Sequence, residues 1–284
     1  MYKLANHYRI IVCLIAVMIS TLSSQLSIAE PTSPALPLTK IILPPIEKSS
    51  EKSGSFFPRV LDLALSKTVD TYGPYQIVSY PFQLTNARFI SELERKNAVN
   101  LMWTMSNKER EEKLRPIKIS LLKELNSYRI FLINKKDQPK FDKIQTIEEL
   151  RELRAGQGTT WPDTQVFRAN KIPVVTSAHY ELLFAMLEAN RFDYFPRGLY
   201  EIWDEYEIHK EHQVAIEENL MFYYDGPIYF FTNKEDEGLA ERVETGLKIA
   251  IADGSFDKLF YSYKGFKKGE EELNKHNRRL FELE

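Results

Sequence analysis

The sequence predicts an α/β protein of two lobes joined by two extended crossing segments. Three observations carry that reading. Short apolar runs alternate with amphipathic stretches of helical period, between Lys40 and Met105 and again between Ala155 and Gly198, which is the alternation that open parallel sheets require. Two longer extended tracts flank the second of these regions: Ile117–Leu122 with Tyr128–Ile133, and Leu220–Thr232, the latter broken by Asp225-Gly226-Pro227. The chain of 284 residues, 43% hydrophobic and 27% charged, is large enough for one big core or two small ones.

The elements follow in order. Lys3 and Arg9 precede an apolar core from Ile10 to Leu22, and Ser27-Ile28-Ala29 offers small residues for cleavage, so residues 1–29 read as a secretory signal peptide. Residues 30–39 are a Pro-rich tether. Lys40–Leu43 is a strand, Glu47–Ser55 a polar loop, and Phe56–Lys67 a helix with Val60, Leu61, Ala64 and Leu65 on one face. Strand Tyr75–Tyr80, helix Asn86–Lys96 and strand Val99–Met105 complete a β-α-β-α-β unit with a parallel sheet. Asn107–Leu114 is a charged helical turn, and Asn134–Lys143 a charged loop. Thr146 caps a short helix with Glu149 in the capping-box position.

The stretch from Ala155 to Gly198 organises the rest. Gly156-Gln157-Gly158-Thr159-Thr160 reads as a small polar turn whose glycines admit a ligand close to the backbone. Pro162 and Asp163 suit a first helical turn, whose free N–H groups face an anion. Ile172–Val175 is a strand, His179–Asn190 a helix, and Arg191–Phe195 a strand broken by Pro196 and Gly198. Leu239–Ala252 is an amphipathic helix, Phe256–Tyr263 closes the compact part, and the charged end reads as a helical tail. The boundaries expected are lobe 1 at 40–122 plus 226–266, lobe 2 at 123–225, and a charged C-terminal tail at 267–284.

Composition excludes several function classes. Residues 1–29 carry two basic residues and no acids, so the remaining chain has 36 basic against 40 acidic residues, a net −4. A nucleic-acid or anionic-membrane partner needs a basic excess or stripe, and neither is present. Cys13, the one cysteine, lies inside the signal core. The mature chain thus has no disulfide, thiol nucleophile or thiolate ligand, which suits a bacterial periplasm. Catalytic constellations are missing: there is no G-x-S-x-G and no P-loop. His209 and His212, with Glu205 a turn earlier, lack the zincin spacing and a third ligand. No metal and no cofactor are expected.

Val99–Glu111 (VNLMWTMSNKERE) with Lys118–Ser120, Ile147–Leu153 with Ala155–Thr160, Met186-Leu187 with Asn190–Gly198, and Leu247–Phe260 (LKIAIADGSFDKLF) stand in an order and spacing that resembles one family. It is that of the bacterial periplasmic solute-binding proteins of family 3, the amino-acid-type substrate-binding proteins of ABC transporters. Their architecture is the type 2 periplasmic binding fold with two hinge crossings, and the resemblance spans about residues 40–266. It implies that Arg110 grips a ligand carboxylate, a bidentate task for a guanidinium. By the same resemblance Thr104 and Ser106 supply neighbouring contacts, Phe82 stacks on the ligand, and Gly158, Thr159 and Thr160 complete carboxylate binding from the second lobe. Where the family places an aspartate for the ligand's α-amino group, this chain has Phe195-Pro196-Arg197-Gly198. Arg197 would repel an ammonium, so an anionic or neutral solute is implied at least as readily as an α-amino acid. Arg88 and Trp161 are further candidates outside the family pattern.

The expected function is a monomeric periplasmic protein that closes on a small polar, anionic or neutral solute, with hinges near Leu121–Asn126 and Tyr223–Gly226, for a membrane permease. The alternatives are a sensor coupled to a membrane signalling partner, and a periplasmic enzyme on the same scaffold.

Overall fold

The computed structural model of the protein describes residues 36–46, 51–211 and 213–284, residues 51 and 52 by their backbone alone. The expected signal peptide, most of the expected tether and His212 lie outside these residues. From Pro37 to Glu284 the chain is one compact unit.

The N-terminal apolar runs become the expected elements. Strands β1 (Thr39–Leu43) and β2 (Tyr75–Ser79) pair in parallel. Between them, helix α1 (Phe56–Ser66) buries Phe56, Phe57, Val60, Leu61 and Leu65, each large side chain stabilising the fold by about 1.5–3 kcal/mol. Helix α2 (Asn86–Glu94) starts at Thr85, whose hydroxyl accepts from the Arg88 amide at 3.3 Å. Strand β3 (Leu101–Met105) does not extend the parallel ladder, as the sequence led us to expect. It pairs antiparallel with β11 (Ile228–Asn233), which also holds β4 (Leu114–Ile117), in a separate three-stranded sheet. Asn100 joins the two sheets instead: its side chain accepts from the Ile42 amide at 2.7 Å and donates to the Lys40 carbonyl at 2.8 Å.

The central part builds a seven-stranded mixed sheet. Its middle strand, β5 (Tyr128–Asn134), is buried along nearly its whole length. It pairs antiparallel with β8 (Tyr194–Gly198), β9 (Val214–Ile216) and β10 (Leu220–Tyr223). Beyond β8 lie β6 (Ala155–Gly158) and β7 (Val174–Ser177), both parallel to it in direction. Thr146 and Glu149 form the expected capping box at the head of the short helix Ile147–Arg151.

Three local expectations need correction. Gly156, Gln157 and Gly158 belong to strand β6, and the turn is confined to Thr159 and Thr160. A Cβ on Gly156 would run into the Phe192 ring and one on Gly158 into the Trp161 indole; these glycines make room for aromatic rings. Pro196 lies within β8, which pairs with β6 only at Tyr194, so past that point one edge carries no ladder and tolerates a proline. The charged C-terminus is helical only to Asn274; Arg279–Glu282 forms β12, parallel to β10 at the edge of the large sheet.

The two segments that connect the small sheets to the large one run side by side. The Asn126 side chain donates to the Gly226 carbonyl, the Gly226 amide to Ser127 Oγ at 3.3 Å, and the Tyr224 amide to the Ser127 carbonyl at 3.1 Å.

Candidate functional site

Helix α3 (Lys108–Lys113) follows β3 directly, and Asn107 caps it by accepting from the Arg110 amide at 2.9 Å. That first turn folds the Arg110 side chain back onto the end of β3. Its Nη1 donates to Thr104 Oγ1 at 2.8 Å and to the Met105 carbonyl at 2.6 Å. Arg110 is 6% exposed, and among the described residues no carboxylate lies in ion-pair contact with it. Burial pulls its pKa down, with the charges of Asp163 and Glu109 opposing. A buried guanidinium without a counter-ion is costly unless something else supplies one.

The space beside it supplies room. A cavity of about 350 Å³ is lined by Arg110, Lys113 and Ile90 from one side and by Thr159, Thr160 and Gln165 from the other. A second, of about 640 Å³, is lined by Ser106, Glu112 and Tyr229 against Val166, Gln165 and Asp225. Both share Asn107, Pro162 and Gln165 and so open on one cleft. Its far wall is helix α4 (Pro162–Ala169), with proline at its first position and Asp163 in its first turn.

Asp163 is engaged below the cleft. It accepts from Arg129 Nε at 3.1 Å and from the Tyr224 hydroxyl, and the Arg129 guanidinium lies 4.8 Å over the Tyr224 ring. Burial pushes the Asp163 carboxyl up, but the Arg129 charge and the Tyr224 hydrogen bond outweigh it and hold the carboxyl below its usual range. Arg129 was not among the sequence candidates. Its signal was a lone charge in the apolar run Tyr128–Ile133, which burial obliges to find a partner.

Of the sequence candidates, the structure brings Arg110, Thr104, Ser106, Thr159 and Thr160 to this region. Ser106 lines the larger cavity and donates to Glu111 Oε1 at 2.7 Å. The others stand elsewhere. Arg197 is 7% exposed and already neutralised: Nε and Nη2 meet the two Glu205 oxygens at 2.7 and 2.6 Å, and Nη2 lies 3.0 Å from Glu201. Its guanidinium stacks at 4.8 Å on both Trp161 and Phe195. Trp161 faces that stack, its ring parallel to Phe195 at 6.2 Å, with Gly158 beneath it. Phe82 is 64% exposed and meets Tyr80 edge-on at 5.7 Å. Arg88 forms a 2.6 Å ion pair with Glu92 on α2. His209 stacks on Phe184 at 3.6 Å.

No helix among the described residues is long and apolar enough to cross a membrane. No protein-family model matches the chain, and no curated protein matches its sequence. Solved structures do match in fold. An ancestral arginine-binding protein bound to arginine shares 14% identity over 79% of this chain and 97% of its own, with a TM-score of 0.61. The substrate-binding protein of an amino-acid ABC transporter shares 13% over 79% and 98%, with a TM-score of 0.56. An ancestral amino-acid-binding protein described as a precursor of cyclohexadienyl dehydratase shares 17% over 80% and 95%, also at 0.56. At these identities the likeness is one of architecture: the chain has the two-lobed, type 2 fold of the periplasmic solute-binding proteins.

Proposed function

We propose that this protein is a divergent member of the family 3 solute-binding proteins, exported to the periplasm, where it closes on a small polar solute and presents it to an ABC-type permease. Lobe 1 comprises 40–122 and 226–266, and lobe 2 comprises 123–225. The observation that carries the reading is Arg110, buried on the cleft with no carboxylate of its own. A ligand carboxylate, or another oxyanion, completes it. Thr159 and Thr160 meet the same anion from the opposite lobe, so bound ligand favours closure by touching both sides. Glu109, which lines the smaller cavity, is tied to Lys113 at 2.6 Å. Glu112 and Asp225 line the larger cavity of the same cleft, so a solute that carries a cationic group beside its oxyanion fits as readily as an anion alone.

A thermal-shift screen of residues 30–284 tests this, with monocarboxylates, dicarboxylates, phosphonates, amino acids and sugars. A ligand at a hundred times its Kd adds about 2.7 kcal/mol. The expected hit carries an oxyanion and is lost in Arg110→Ala. Hits that ignore Arg110 would remove the assignment, and turnover of the hit would favour an enzyme on this scaffold.

A further inference from the structure

Residues 264–284 give the fold a connection that a two-crossing hinge lacks. Helix α5 (Lys264–Asn274) seats Phe266 among Phe56, Phe260 and Tyr263, with ring centroids 4.9, 5.0 and 5.0 Å away. Those rings belong with the small sheets. The same helix lies against the body of the large sheet. Its Gly269 is so close to Leu199 that a Cβ would run into the Leu199 carbonyl, and Lys268 stands 5.8 Å over the Trp203 ring.

Beyond α5 the chain is fastened to the large sheet at successive points. Arg278 Nε meets Glu272 at 2.7 Å while its Nη1 donates to the Glu217 carbonyl at 2.5 Å. The Arg279 amide donates to the Asn219 carbonyl at 2.7 Å and the Leu283 amide to the Tyr223 carbonyl at 2.8 Å. Asn170 donates to the Glu284 carbonyl at 2.9 Å and accepts from its amide at 3.2 Å.

We propose that residues 264–284 are a strap between the lobes that limits how far the cleft opens. Opening turns one lobe against the other about the crossings near 121–126 and 223–226. The strap is anchored on both sides of that rotation. Phe266 and Gly269 lie on one continuous helix, so the two seats are about 5 Å apart along its axis with no slack between them. Wider opening therefore requires Phe266 to leave its rings on one side, or Gly269 and the β12 ladder together to let go on the other. The strap is independent of what the cleft binds; only its consequence, slowed ligand release, rests on the solute-binding reading.

Two measurements test it, neither needing a ligand. In the full chain carrying Cys13→Ser, nitroxide labels at Glu94→Cys and Arg168→Cys report the distance between lobes. The strap predicts one narrow, short-distance population. Eight Gly/Ser residues inserted after Lys267, between the two seats, add about 27 Å of reach and bring in a second, longer-distance population. Identical distributions with and without the insertion overturn the proposal, as does a long-distance population in the uninserted chain. Hydrogen exchange on the unaltered chain covers the case in which the insertion does not fold. The Arg279 and Leu283 amides are expected to be as protected as those of β10; exchange at the rate of free chain overturns the proposal.

Discussion

Arg110 and Arg197 are almost equally buried, at 6% and 7% exposure, yet their replacement by methionine is predicted to have very different effects. Arg197 is the cationic partner of Glu205 and Glu201. Arg197→Met leaves the buried Glu205 and the half-buried Glu201 without it, and breaking a buried pair from one side costs about 3–5 kcal/mol. For a protein of this size that lowers Tm by roughly 10 °C. Among the described residues Arg110 has no carboxylate in ion-pair contact. Arg110→Met gives up two hydrogen bonds, to Thr104 Oγ1 and the Met105 carbonyl, each worth about 1 kcal/mol net, but it also removes an uncompensated buried charge. The two terms oppose, and we predict a change within about 1 kcal/mol in the ligand-free protein, or a few degrees. Calorimetric melting of both variants at pH 7 decides the matter. If Arg110→Met loses as much as Arg197→Met, Arg110 is a structural residue and the cleft has no anion site built around it.

Other outcomes follow from the same contacts. Asp163 is held below its usual range by Arg129 and Tyr224 despite burial. Its contribution is therefore present above the unfolded value of about 3.9 and lost as pH falls through the depressed folded one. Asp163→Asn is expected to cost about 3–5 kcal/mol at neutral pH, with the gap to the parent shrinking below about pH 4 in urea unfolding; a gap independent of pH would contradict the assignment. Gly246 lies on the helix Glu237–Ala252 where a Cβ would run into the Ala64 backbone, so Gly246→Ala should destabilise by about 3 kcal/mol. Gly254 has φ of +77° with open space around it, and Gly254→Ala should cost only about 1 kcal/mol of backbone strain. Chemical denaturation of the two variants side by side separates the two causes.

Local signals with a short reach were legible in the sequence. The Thr146–Glu149 capping box, the Pro162-Asp163 helix start and the apolar face of α1 are decided within a few residues, and the structure has all three. What escaped depends on distant neighbours. Gly156 and Gly158 look the same in a loop or in a strand packed under Phe192 and Trp161. Whether β3 joins β1 or β11 is decided by Asn100 and by a strand more than a hundred residues later. The end Arg279–Glu282 is rich in charge and acquires strand geometry only because β10 offers an edge. At the site, the family resemblance singled out Arg110 but could not tell that Arg197 is satisfied internally. That depends on Glu201 and Glu205, one and two turns into the segment that follows β8.

The most direct test of the central claim is isothermal titration of the best thermal-shift hit into residues 30–284 and into Arg110→Ala. The account predicts a single site of unit stoichiometry, with no product formed over hours, and no measurable heat of binding in the variant. Undiminished binding to Arg110→Ala, or conversion of the titrant, would contradict it.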